Sequence, residues 1–218
     1  MPTGRVAIYG GTFDPVHNGH VAVAREVLQL FELDEVMFVP ACVPPHKRNA
    51  NITSAFHRFA MLALATQQDQ KLRVSTVELD APELPYAVET VERMKNDASR
   101  LFFMIGADSW AEISTWHDWQ RLLKMCDLIV VTRPGYSIAG GLSGEANLVD
   151  VRDLNSESIS ALLQTGETPR IFVTNAVMMD VSATKIRAAA KTDDAVALRT
   201  MVPEAIAKYI EKYDLYGN

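Results

Sequence analysis

The amino-acid sequence predicts an α/β protein: a doubly wound, mostly parallel sheet with helices on both faces and a helical segment at its C-terminal end. Two patterns carry that expectation. Short apolar runs, often β-branched or aromatic, alternate along the chain with segments of helical spacing. Each run ends near Gly, Pro, Asp or Asn, so it reads as a strand closed by a turn. Strands and helices in alternation build a parallel sheet, because each helical crossover brings the chain back to the end where the previous strand began.

The elements follow in order. Residues 6–9 form the first strand, and Gly10-Gly11 ends it. A helix over 21–31 has Val23, Val27, Leu28 and Phe31 on one face. A second strand, 35–39, runs into the turn Pro44-Pro45-His46-Lys47-Arg48. Thr53 and Ser54 are N-cap candidates for a helix with Phe56, Phe59, Leu62 and Ala63 on its apolar face. A strand over 72–77 is followed by a short helix carrying Val88, Val91 and Met94, then by strands at 101–105 and 127–132. Residues 134–150 read as a loop, 156–165 as a modest helix and 171–173 as a strand. From Ser182 onward the chain is helical, and Pro203 is placed at the first position of a helix over 204–213.

Length and composition narrow the function. A chain of 218 residues with 48% hydrophobic and 22% charged residues suits one domain over 1–218, its helical part beginning at about 182. A net charge of −6 disfavours nucleic acid and anionic membranes as partners. A polyanionic ligand then needs a local basic pocket. Cys42 and Cys126 lie far apart with no C-x-x-C pattern, which points to buried free thiols in a reducing compartment. The N-terminal apolar run is too short for a signal-peptide core, and no run reaches the roughly 20 apolar residues of a membrane helix. The expected location is cytoplasmic.

The strongest chemical signal is G-G-T-F-D-P-V-H-N-G-H at 10–20, directly after the first strand. A strand opening into a glycine turn, two imidazoles (His17 and His20) and a helix start brings N–H donors to one point, which suits a polyphosphate. Glycines also serve ordinary tight turns, and single histidines are commonly structural. Zinc is a third reading, but a helical zinc pair prefers i, i+4 spacing and no third ligand is evident. Neither G-x-x-x-x-G-K-[ST] nor G-x-G-x-x-G occurs. A second cradle candidate is S-A-T-K-I-R at 182–187, where Ser182 caps a helix and Arg187 lies five residues on. His46, Lys47 and Arg48 follow the second strand as a cation cluster, and Gly106-Ala107-Asp108 offers a carboxylate after the fourth. Trp110, Trp116 and Trp119 crowd one stretch. The polar surroundings of Trp116 suggest a half-exposed ring able to stack on a planar ligand, while Trp119 and Leu122 read as core.

Taken with P-P-H-K at 44–47, H-R-F-A-M-L at 57–62, G-A-D-S at 106–109, T-W-H-D-W at 115–119, R-P-G-Y at 133–136 and the closing Tyr-Ile…Leu-Tyr at 209–216, these blocks identify a resemblance. The chain resembles bacterial nicotinate-nucleotide adenylyltransferases, a branch of the nucleotidyltransferases marked by (H/T)-x-G-H, nearly end to end. The resemblance implies a Rossmann-like fold and adenylyl transfer from Mg-ATP to nicotinate mononucleotide. The products are deamido-NAD and pyrophosphate, formed in NAD biosynthesis by in-line attack without a covalent intermediate. It implies catalytic roles for His17, His20, Lys47 and Arg187. ATP would be bound by Gly10, Gly11, Thr12, Phe13, His17, His20, Gly106, Asp108, Ser182, Thr184 and Arg187. The mononucleotide would meet Thr12, His46, Lys47, Tyr86, Ala87, Trp116 and Arg133. Mg²⁺ would be held by ATP phosphates and water, with no protein metal ligand. A homo-oligomer is compatible with this reading.

The chain departs from the family where members commonly read S-Y-T-x-x-T-L. Here Pro85-Tyr86-Ala87-Val88-Glu89-Thr90-Val91 lacks both hydroxyls flanking Tyr86, although Ala87 retains its N–H. Another acceptor of the same superfamily, a non-catalytic nucleotide sensor, a tRNA synthetase relative and a dehydrogenase are the rival readings.

Overall fold

The computed structural model describes residues 4–42, 52–81, 85–132, 147–166, 169–175 and 179–217. Seven strands form one sheet: β1 (Arg5–Gly11), β2 (Glu35–Pro40), β3 (Leu72–Val74), β4 (Arg100–Gly106), β5 (Asp127–Val131), β6 (Leu148–Asp150) and β7 (Ile171–Thr174). Their order is β3-β2-β1-β4-β5-β7-β6, and every strand pairing is parallel. From β1 the chain winds outward to β3, then returns to pair β4 against the other side of β1. The strand order therefore reverses between β1 and β4, which is where open α/β sheets bind ligands.

Alternation along the central strands divides the core in two. Ala7, Phe102, Met104 and Ile129 face one cluster, shared with α1 (Asn18–Leu30), α2 (Ala55–Thr66) and the helices after Ser182. Ile8, Phe103, Ile105, Leu128 and Val130 face the other, shared with α3 (Ala87–Met94), α4 (Ala107–Ala111) and α5 (Trp119–Met125). Each of these side chains except Ala7 gains about 1.5–3 kcal/mol from complete burial, so both faces of the sheet are held firmly.

The structure corrects several boundaries. The 72–77 strand stops at Val74, because β3 pairs only with Val36–Phe38 of β2. β6 lies inside the stretch read as loop. It is a three-residue edge strand beside β7, too short to show a period. The buried face of α2 is Arg58, Met61, Leu62 and Thr66, while Phe56 is 75% exposed and Ala63 is also exposed. The helix is turned so that the Arg58 guanidinium points inward to a set of carbonyls. α4 and α5 are too short for helical periodicity and were not foreseen. Trp110 is the buried tryptophan, at 1% exposure, and Trp119 is only half-buried. α6 (Ser156–Gln164) and the Val88, Val91 and Met94 face of α3 match expectation. After α7 (Ala183–Lys191) and α8 (Ala195–Met201), Pro203 occupies the N-cap of α9 (Glu204–Lys212) rather than its first helical position. Cys126 is a buried free thiol and its pKa is pushed up to about 12 by burial, whereas Cys42 is only half-buried.

Candidate active site

The turn after β1 is built by aromatic packing. Phe13 takes a left-handed backbone (φ 49), and its ring meets Tyr9 at 5.5 Å, Phe38 at 5.5 Å and His20 at 5.1 Å. Phe13 is 3% exposed, so its ring belongs to the core. This packing sets the direction in which α1 starts.

His17 is the N-cap of α1, and the two histidines cap the helix reciprocally. His17 Nδ1 accepts the His20 N–H at 3.3 Å, and His20 Nδ1 accepts the His17 N–H at 3.3 Å. The rings stack with centroids 3.6 Å apart and 21° between planes. Because both Nδ1 atoms are acceptors, each neutral ring carries its proton on Nε2. Burial lowers the His17 pKa from 6.5 to about 4; burial and then repulsion from His17 hold His20 well below 6.5. At neutral pH the pair is therefore two uncharged N–H donors.

This pair makes stability depend on pH. For His17 the unfolded pKa of 6.5 exceeds the folded value of about 4, so between them the unfolded chain binds more protons. Stability is complete above pH 6.5 and is lost as pH falls toward 4, His17 alone contributing about 3 kcal/mol by pH 4. Thermal melts from pH 7 to pH 4 should fall more steeply for the wild type than for His17→Gln. Parallel slopes would contradict the buried neutral state.

The second motif closes on the first. Ser182 caps α7, its Oγ accepting the Lys185 N–H at 3.3 Å. A Cβ on Gly19 would lie 2.9 Å from Val181 Cγ1, so glycine is what lets the start of α1 approach the start of α7 this closely. Arg187 Nη1 donates to the Asp14 carbonyl at 2.7 Å and Nη2 to Thr184 Oγ1 at 3.4 Å. The signature turn and the 182–187 block therefore face one another. Gly106 and Asp108 are exposed where α4 begins, at the carboxyl end of β4 beside β1.

Tyr86, Ala87 and Trp116 belong to the opposite face of the sheet, all three partly buried against its core cluster. Ala87 is the first residue of α3, and the Tyr86 N–H before it is taken by Glu89 Oε2 at 2.9 Å. Trp116 packs edge-on to Phe103 at 6.3 Å, and the Phe103 ring lies 3.3 Å from where a Gly10 Cβ would stand. That chain of contacts ties Trp116 to the end of β1. His117 stacks on Tyr86 at 4.4 Å, covering one face of that ring. His46, Lys47 and Arg133 lie outside the described residues.

Four residues with no expected role hold these parts together. Arg58, 1% exposed, donates to the carbonyls of Thr12 (2.7 Å), Ala41 (2.7 Å), Cys42 (3.0 Å) and Thr53 (2.9 Å). Burial lowers its pKa, with the Asp14 charge foremost in opposing the shift. Glu78 accepts the Cys42 N–H at 3.3 Å and the Thr90 hydroxyl at 2.8 Å, and burial raises its pKa. Asp14 and Tyr216 join at 2.8 Å. An arginine on the apolar stripe of α2 was the one visible sign of this scaffold, since a buried guanidinium must find acceptors.

Neutral imidazole donors, a guanidinium and two helix starts converging beside a strand-order reversal can bind a polyphosphate and stabilise charge that builds on it. The comparisons agree with that chemistry. The chain is 37% identical over 215 residues to a Thermoanaerobacter sp. (strain X514) protein named Probable nicotinate-nucleotide adenylyltransferase, covering 97% of this chain and 94% of that one. It is 33% identical over 222 residues to a Desulfatibacillum aliphaticivorans protein of the same name, covering 97% and 99%. Plasmodium falciparum nicotinic acid mononucleotide adenylyltransferase complexed with NaAD shares the fold, at a TM-score of 0.72, 20% identity and 97% of each chain. The cytidylyltransferase-like family model matches residues 8–189. Fold, paired histidine caps and full-length relatives together establish that the chain belongs to the cytidylyltransferase-like family, in its nicotinate-nucleotide adenylyltransferase branch.

Proposed function

We propose that the protein transfers the adenylyl group of ATP to nicotinate mononucleotide, giving deamido-NAD and pyrophosphate in the cytoplasm. The observation that carries this reading is the stacked His17–His20 pair in the same signature turn whose Asp14 carbonyl holds Arg187. A mononucleotide phosphate oxygen attacks the α-phosphorus. The new P–O bond forms as the bond to the β-phosphate oxygen breaks, and that electron pair leaves on pyrophosphate. The nucleophile is already anionic, since a phosphate monoester has a second pKa of about 6. No base is needed. The Nε2–H groups of His17 and His20 donate to oxygens that gain charge in the transition state, so catalysis is positioning plus charge stabilisation.

Arg187, Ser182 and Thr184 hold the ATP phosphates, and the backbone of Gly10 to Phe13 lies along both nucleotides. Gly106 and Asp108 receive a ribose. His46 and Lys47 meet phosphate, and Arg133 lies near the mononucleotide. Trp116 and Tyr86 flank the pyridine, and the Ala87 N–H meets its carboxylate. Among the described residues no three His, Cys, Asp or Glu side chains cluster as a metal cage, and the Asp14 carboxylate is engaged by Tyr216 and the Thr53 N–H. Mg²⁺ would be carried by ATP phosphates and water, and there it would neutralise phosphate charge. The chain would act as one nucleotidyltransferase domain over 1–218 without nucleic acid or membrane partners; no described helix is long and apolar enough to cross a membrane.

Trp116→Ala tests the placement of the substrates. Loss of a stacking surface should raise KM for nicotinate mononucleotide roughly tenfold and leave KM for ATP unchanged. Equal changes in both constants, or in neither, would remove Trp116 from the acceptor site.

A further inference from the structure

We propose that Tyr216 is a positioning residue for adenylyl transfer, setting the Arg187 guanidinium through Asp14; this rests on the reading that Arg187 holds the ATP phosphates. After α9 the chain turns through two left-handed residues, Asp214 (φ 47) and Tyr216 (φ 72). A left-handed backbone is an outlier for a bulky aromatic residue and persists where surrounding contacts enforce it. The contact here is the phenol. Tyr216 Oη donates to Asp14 Oδ1 at 2.8 Å, joining residues 202 positions apart. Burial raises the phenol pKa well above its ordinary value, so the group stays a donor at every working pH.

Asp14 is 6% exposed and held at three points. Tyr216 takes Oδ1, the Thr53 N–H donates to Oδ2 at 3.4 Å, and the Asp14 carbonyl accepts Arg187 Nη1 at 2.7 Å. Asp14 also stands three residues before His17, inside the signature turn. The two bonds to its carboxylate pin residue 14 in place, and with it the backbone carbonyl that aims Arg187; the C-terminal tyrosine supplies the shorter of the two. A charge-assisted bond in a buried setting is strong enough to hold that geometry. The closing Leu-Tyr block thus has a task at the opposite end of the sequence.

The test is a double-mutant cycle of Tyr216→Phe and Arg187→Ala, read by calorimetric Mg-ATP binding and by kcat with nicotinate mononucleotide. Tyr216→Phe removes one oxygen and should weaken Mg-ATP binding about fivefold and lower kcat about tenfold. KM for nicotinate mononucleotide should stay within about twofold of wild type, because the residues proposed to flank the pyridine, Tyr86 and Trp116, lie on the other sheet face. In the Arg187→Ala background the same change should cost less than about twofold in either readout. Losses that multiply in full across the two backgrounds, or a Tyr216→Phe enzyme equal to wild type, overturn the role of Tyr216. Coupled Mg-ATP binding without any wild-type turnover of nicotinate mononucleotide supports Tyr216 and overturns the acceptor instead.

Discussion

His20→Ala is expected to lower kcat by about 10²–10³-fold, the scale of one lost transition-state donor, with a smaller change in KM for ATP. Three losses combine. The substitution deletes the His20 Nε2–H donor, removes one ring of the 3.6 Å stack and strips the His17 N–H of its acceptor. His17 then keeps its own cap from the residue 20 N–H but loses the neighbour that holds its plane. On the proposed mechanism the effect falls on kcat, because the donors would meet charge that grows during the reaction. Steady-state kinetics of the purified variant check this. A rate within threefold of wild type, on the order of half a kcal/mol, would separate His20 from the chemistry.

Arg58→Ala should produce the largest loss of stability. It leaves the carbonyls of Thr12, Ala41, Cys42 and Thr53 without their donor and opens a void beneath the signature turn. Each buried carbonyl left without a donor costs about 1–3 kcal/mol, and with partial relaxation the four together come to on the order of 3–5 kcal/mol, a large part of the 5–15 kcal/mol that holds an ordinary domain folded. For a chain of this size that corresponds to a fall in Tm of roughly 6–20 °C. Arg58→Lys should recover only part of it, because an ammonium lacks the planar fork that reaches several carbonyls at once. Thermal melts decide. An Arg58→Ala protein melting within about two degrees of wild type would show that the carbonyls find water without cost.

The central strands were legible because parallel strands covered on both faces read as unbroken apolar runs, as β1, β2, β4 and β5 do. β6 was not, since three residues at a sheet edge carry no period and little burial. The α2 face was misjudged for a definite reason. Phe56 and Ala63 are apolar yet point to solvent, and the arginine that points inward is charged yet satisfied. In the site, the Ser182 cap was readable because its partner lies three residues away. The reciprocal His17–His20 caps were not, since the apolar spacing starts the helix at residue 21 whereas α1 begins at Asn18 and takes His20 into its first turn. The supports were not. Arg58 meets Thr12 across 46 positions and Tyr216 meets Asp14 across 202, and no local spacing encodes such pairs. His117 on Tyr86 likewise required the structure, since it depends on how α3 and the turn before α5 pack.

The central proposal is that the pocket accepts the pyridine acid, with the Ala87 N–H at the start of α3 meeting its carboxylate. Initial rates of pyrophosphate release from Mg-ATP with nicotinate mononucleotide and nicotinamide mononucleotide, measured side by side, test it directly. Preference for the acid in kcat/KM by at least about tenfold is expected, because an N–H donor at the start of α3 still meets a carboxylate more strongly than an amide. Equal use of the two, or release with neither, would contradict it.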